Sequence, residues 1–169
     1  MPFTILFIDD NHENFDLLNS FEIESWNGGK VHKIADNIIH LMRGQVFTIE
    51  GKTFFIFGGS ESIDRASRVE GQSWWADEVP SRADFDEAHK NLEKAGYKVN
   101  YIITHCIDRK TLTTPPFNQF NYKVFPTNQG LNYFEDEIEY GHWYFAHYHN
   151  DMKINDKKTA LYQEIIKII

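Results

Sequence analysis

The chain has 169 residues and carries 25 acidic against 17 basic side chains, a formal charge of −8. No Lys/Arg cluster interrupts that balance, which argues against a nucleic-acid partner held through its phosphates. The length fits one domain with an aromatic core drawn from 14 Phe, 8 Tyr and 4 Trp, and the single cysteine, Cys106, excludes an internal disulfide and suits a reducing, cytoplasmic setting. No basic leader precedes a long apolar run, and no apolar segment approaches the roughly 20 residues that cross a bilayer, so a soluble protein with no membrane partner is expected.

Thr4 to Ile8 is a continuous apolar run, the pattern of a strand buried on both faces of a parallel sheet. It ends in Asp9-Asp10-Asn11-His12-Glu13-Asn14. Such a polar cluster either caps a strand-to-helix turn or lines a ligand site at a strand's carboxyl end, and both readings stay open here. Phe15 to Phe21 predicts a short helix and Asn27-Gly28-Gly29 a turn. Three strands follow, Ile38 to Met42, Gln45 to Ile49 and Thr53 to Phe57, joined by hairpin turns. Gly58-Gly59-Ser60 is a plain turn or a site-lining loop. Glu61 to Pro80, with Arg65, Arg68, Trp74 and Trp75, has no period and predicts an irregular surface segment able to act as a lid.

Ser81 to Ala95 carries the clearest helix signal: a Ser cap, Asp84 in the first turn, apolar Phe85, Ala88 and Leu92 at helical spacing, and Gly96 as a stop. Val99 to Thr104 predicts a buried strand ending at His105. The adjoining Cys106 raises a Cys-His nucleophile pair, but neighbours on an extended chain face opposite ways, which argues against it. Thr111 to Asn128 predicts a long loop, Gly130 to Tyr140 a short acidic helix, and Trp143-Tyr144-Phe145 a strand. Continued through His147 and His149, that strand places both imidazoles on one face. Lys153 to Ile169 supplies one or two closing strands. Alternating strands and helices with central hairpins give a layered α/β domain.

Asn11 with His12, His105, and His147 with His149 therefore each fall just past a predicted strand, and a parallel arrangement brings those ends to one edge. An amide oxygen and several imidazoles form a mixed O/N cation site suited to Mn, Fe, Zn or Ni rather than Ca. His12 would be left as an acid or a phosphate contact. His32, His40, His89 and His142 read as surface or packing residues, Arg65 and Arg68 receive no role, and Tyr148 should point away from the metal.

Asn11-His12-Glu13, Thr104-His105 and Ala146-His147-Tyr148-His149 resemble, in order and spacing, the last three motifs of the calcineurin-like metallophosphoesterases, written Gly-Asn-His-Glu, a strand-end His, and Gly-His-x-His. Trp26-Asn27-Gly28-Gly29, Gly58-Gly59 and Trp74-Trp75 also look like a bacterial and phage branch of that family, so the resemblance runs over the whole chain. It implies a β-sandwich flanked by helices that hydrolyses a small phosphomonoester or phosphodiester by metal-bound hydroxide. Asn11, His105 and His147 would hold one metal, His149 would hold a second, and His12 would be the catalytic residue at the leaving group. The family's earlier Asp-x-His and Gly-Asp motifs have no counterpart, and Asp10 and Ala146 stand where the family has Gly. The resemblance thus describes a domain incomplete at its N-terminus, with one or two ions and an exposed sheet edge for a homo-oligomer to cover. The alternatives are a catalytically degenerate member of the same fold acting as a binding or interaction module, and a domain without metal whose histidines are structural.

Overall fold

The computed structural model describes residues 3–168. In chain order the elements are β1 (Ile5–Phe7), α1 (Phe15–Leu18), β2 (Ile23–Trp26), β3 (Gly29–Ala35), β4 (Ile38–Leu41), β5 (Gln45–Ile49), β6 (Lys52–Phe57), α2 (Arg82–Lys94), β7 (Lys98–Thr104), α3 (Arg109–Leu112), α4 (Pro126–Glu137), β8 (Glu139–Phe145), β9 (Met152–Asn155) and β10 (Lys158–Ala160). Strands β1, β4, β3 and β2 form a four-stranded sheet in that order, and β5, β6, β7, β8, β10 and β9 form a six-stranded one. β1 runs parallel to β4, and β6, β7, β8 and β10 are mutually parallel, while β2, β3, β5 and β9 pair antiparallel with their neighbours.

β6 shows why the layers stack as they do. Its successive side chains point to opposite faces, and both faces are apolar: Phe54 and Ile56 on one, Phe55 and Phe57 on the other. Phe54 and Ile56 meet Val31, Ile39 and Leu41 of the smaller sheet, closing a sandwich. Phe55 and Phe57, with Ile102, Trp143 and Phe145, take the opposite side, where Ala88 and Leu92 of α2 and Leu131 and Phe134 of α4 cover them. The protein is therefore mixed α/β, with two mixed sheets and flanking helices. Among the described residues no helix is long and apolar enough to cross a membrane.

α2 forms where its signals coincide. The Ser81 hydroxyl accepts from the Asp84 N–H at 3.3 Å, and Asp84 accepts from the Ser81 N–H at 2.7 Å. This reciprocal cap contributes about 1 kcal/mol. Gly96, with φ +64°, ends the helix in a conformation that side chains with a Cβ disfavour.

A buried cation closes the far side. Lys158 is 3 % exposed and donates to Asp108 Oδ2 at 2.9 Å, Glu135 Oε2 at 2.8 Å and Thr111 Oγ1 at 2.6 Å. It ties β10 to α3 and α4, which flank the loop beyond β7.

Several expectations need correction. The turn at Asn27-Gly28 forms as expected, but it joins β2 to β3 in a hairpin that was not expected, because Glu24, Lys30 and Lys33 interrupt the apolar pattern of two strands whose inward residues are few. β4 and β5 lie in different sheets and form no hairpin. The loop expected from Thr111 to Asn128 contains a 3-10 turn over Phe117–Phe120 and the start of α4 at Pro126, and the helix expected to run to Tyr140 ends at Glu137. Residues 61–80 are not a free lid: Trp74 and Glu78 are buried, and Trp75 Nε1 donates to Asp16 at 2.8 Å. The closing strands are the β9–β10 hairpin, and Ile169 lies outside the described residues. β1 pairs only with β4 among the described residues, so its other side is open, with Ile5, Leu6 and Phe7 half-buried.

Candidate metal centre

β7 and β8 are adjacent and parallel, so their carboxyl ends deliver His105 and Ala146-His147 side by side. The Ala146 N–H donates to the His105 carbonyl at 2.9 Å, and the His105 N–H donates to the Phe57 carbonyl at 3.1 Å, which fixes the His105 backbone between its neighbours. Asn11 arrives from the facing sheet, three positions beyond Ile8. The edge that gathers the cluster is thus shared by two sheets rather than one.

Asp9 anchors the Asn11 segment. Its carboxylate accepts from Arg43 Nε at 2.7 Å and from His40 Nε2 at 3.1 Å. Burial alone would raise this carboxyl, but Arg43 and His40 outweigh it and hold it below the usual range. Gly58 makes the approach possible, since a Cβ there would fall against the Asp9 carboxylate and 2.7 Å from its carbonyl oxygen. The glycine pair therefore packs on Asp9 and does not line the site.

Three polar atoms converge at hydrogen-bond distance. Asn11 Oδ1 lies 2.8 Å from His105 Nε2 and 3.2 Å from His147 Nδ1, and the two ring nitrogens are 2.9 Å apart. Burial, then the His147 ring, lower His105 to about 3. Burial, then His149, lower His147 to about 4. Both imidazoles are neutral at pH 7 and offer lone pairs rather than charge. First-row metal bonds to nitrogen and oxygen are about 2.0–2.2 Å long, which sets adjacent ligands of an octahedron about 3 Å apart and those of a tetrahedron nearer about 3.4 Å. The observed triangle fits one face of an octahedron.

The other predicted site residues lie around this triangle. His149 does not join it; it is exposed, stacks on Tyr162 at 4.7 Å between ring centroids, and lines the same cavity. His12 is exposed at the rim, with Nε2 3.1 Å from Asn11 Nδ2. Asp10 accepts from the His12 N–H and also lines the cavity. Tyr148 turns into the core, where its hydroxyl meets Asn128 Nδ2 at 3.0 Å. Cys106 is buried, and burial pushes its thiol up to about 12, which leaves no thiolate for a Cys-His pair. Arg65 lies over the Trp74 ring and Arg68 pairs with Asp64. His32 and His40 are buried, with their Nδ1 atoms 3.2 Å apart.

The His-x-His segment is not a strand continuation. β8 ends at Phe145, and the Tyr148 N–H donates to the Ala146 carbonyl at 2.8 Å across His147, which has φ +68°; His149 has φ +48°. This three-residue turn, of the rarer hand, aims His147 inward through the backbone rather than by strand alternation. Left-handed non-glycine residues concentrate where geometry serves a site.

The cavity has a volume of about 600 Å³. Tyr122, Phe125 and Tyr162 supply aromatic walls, and Lys123 supplies a cation. Two residues that the sequence did not mark lie behind Asn11: Ser62, which meets Asn11 Nδ2 at 3.0 Å, and Glu78, which holds Ser62. Comparison of the chain with models of known families, with characterised proteins and with solved structures finds no match.

Proposed function

We propose that the chain is a metal-dependent phosphoesterase built on a calcineurin-like β-sandwich, acting on a small phosphomonoester or phosphodiester. The observation that carries this reading is the convergence of Asn11 Oδ1, His105 Nε2 and His147 Nδ1 from three strand ends at the floor of one cavity. These three residues would hold a divalent Mn, Fe, Zn or Ni ion, and His149, on the wall, would serve a second. When bound, such an ion supplies Lewis acidity toward phosphoryl oxygens and lowers the pKa of water. The remaining work falls to the chain. Lys123, seated over Phe125 with Nζ 4.6 Å from the ring centroid, offers a point charge to a phosphate entering the cavity. Tyr122 and Tyr162 flank the space for the ester substituent. His12 turns Nε2 to Asn11 and lines the same cavity, where its imidazole would carry a proton to the leaving oxygen.

The ligand set is neutral, which favours one ion over two closely spaced dications that would repel each other uncompensated. That observation also supports the second reading, a metal-binding module of the same fold with little turnover. On either reading the open side of β1 is where a second copy would pair.

Reconstitution with Mn(II), elemental analysis, and release of nitrophenol from mono- and bis-(p-nitrophenyl) phosphate test the proposal. The expected result is about one ion per chain and metal-dependent release. That release is lost in His147→Ala together with the ion, and lost in His12→Ala with the ion retained. Rates unchanged in both variants would refute the catalytic assignment, and metal retention without turnover would favour the binding module.

A further inference from the structure

Asn11 is useful to a cation only if its amide oxygen, not its nitrogen, faces the imidazoles. The two orientations have nearly the same shape, so something beyond packing must choose between them.

Ser62 and Glu78 make that choice. Glu78 is 1 % exposed; its Oε1 accepts from the Ser62 backbone N–H at 2.8 Å, and its Oε2 lies 2.7 Å from Ser62 Oγ. A hydroxyl has one proton, and a carboxylate only accepts. The Asn11 carbonyl oxygen, at 3.2 Å from Ser62 Oγ, competes for that proton but is farther and uncharged. The proton therefore goes to Glu78, and Ser62 Oγ turns its lone pairs to the Asn11 amide at 3.0 Å. Only the NH2 group can donate there. Its second hydrogen meets His12 Nε2 at 3.1 Å. With both hydrogens used, Oδ1 is left pointing at His105 and His147.

We infer that Glu78 and Ser62 are positioning residues that lock the Asn11 amide with its oxygen toward the His105–His147 pair and so set the affinity of the site for a divalent cation. This inference rests on the metal reading above for its functional consequence, though the amide orientation itself does not. Neither residue is hydrogen-bonded to Asn11 Oδ1, His105 Nε2 or His147 Nδ1. Glu78 acts through Ser62, and Ser62 acts through Asn11, as outer partners of metal ligands do when they fix ligand orientation.

The test has a metal-free and a metal-loaded arm. In 15N-labelled, metal-free protein, the Asn11 side-chain amide protons should show NOEs to the Ser62 β protons and the His12 ring, with slow solvent exchange. In Ser62→Ala that exchange should accelerate about tenfold or more. In the loaded arm, the Mn(II) dissociation constant should rise roughly 10–100-fold in Ser62→Ala and in the near-isosteric Glu78→Gln. Circular dichroism of both variants should remain native. A dissociation constant within twofold of the parent in both folded variants would overturn the inference, as would wild-type amide protons that contact the imidazoles of His105 and His147. Should the parent protein take up no Mn(II), the metal reading fails on its own. Ser62-dependent protection of the amide would then still support the lock, and its absence would overturn it.

Discussion

Acidifying the metal-free protein from pH 6.5 to pH 5 should destabilise it by about 2 kcal/mol through His105 alone. An ordinary imidazole titrates near 6.5, whereas burial, then the neighbouring His147, lower His105 to about 3. Between those values the unfolded chain binds a proton that the folded chain refuses. Stability therefore rises with pH across the window, is fully present above about 6.5, and is lost progressively as pH falls toward about 3. At 1.36 kcal/mol per pH unit, an interval of about 1.5 units gives the stated figure. His147, lowered to about 4 by burial and then by His149, steepens the same slope. Urea denaturation followed by tryptophan fluorescence at pH 7, 6 and 5, for the parent and for His105→Gln, measures the effect. The variant should lose about 2 kcal/mol less than the parent over the lower 1.5 units. Equal losses in the two proteins would show that His105 is not held neutral by its surroundings, and the neutral-ligand argument for the cation site would fall with it.

Three further perturbations follow from the packing. Gly58→Ala would press a methyl group into the Asp9 carboxylate and should cost about 1–3 kcal/mol or more, read from the urea midpoint. Lys158→Met removes the cation that neutralises Asp108, which is fully buried, and should cost about 3–5 kcal/mol by the same assay. Asp151 accepts from the backbone N–H groups of Tyr162, Gln163 and Glu164, and so holds Tyr162 over His149. Asp151→Ala should accelerate hydrogen exchange at residues 162–164 by about tenfold or more while changing global stability by less than about 1 kcal/mol. Unaltered exchange there would mean that the segment is held by other contacts.

What could be read from the residues was what local chemistry decides. The Ser81 cap, the Ala88 and Leu92 spacing and Gly96 agree within one window, and α2 forms over nearly the expected span. β6 and β7 carry apolar residues on both faces and announce themselves. β3 does not, because His32 and the outward lysines hide a strand whose inner face rests mainly on Val31. At the candidate site, the strand-end positions of Asn11, His105 and His147 were legible. The turn that separates His147 from His149 was not, because it depends on Tyr148 reaching Asn128 across 20 residues. Ser62 and Glu78 were invisible for the same reason: their contacts span 51 and 16 residues, and no local signal marks either one.

The left-handed backbone at His147 and His149 sets a trap for anyone optimising this protein. A glycine at either position would enter the same turn without the Cβ conflict, a gain on the order of 1 kcal/mol. Libraries ranked by melting temperature would therefore enrich Gly-Tyr-Gly in place of His-Tyr-His, and would discard the imidazoles while reporting improvement. Selection for stability and selection for the proposed cation binding would pull these two codons in opposite directions, so a thermostable version of the chain is best sought with both held constant.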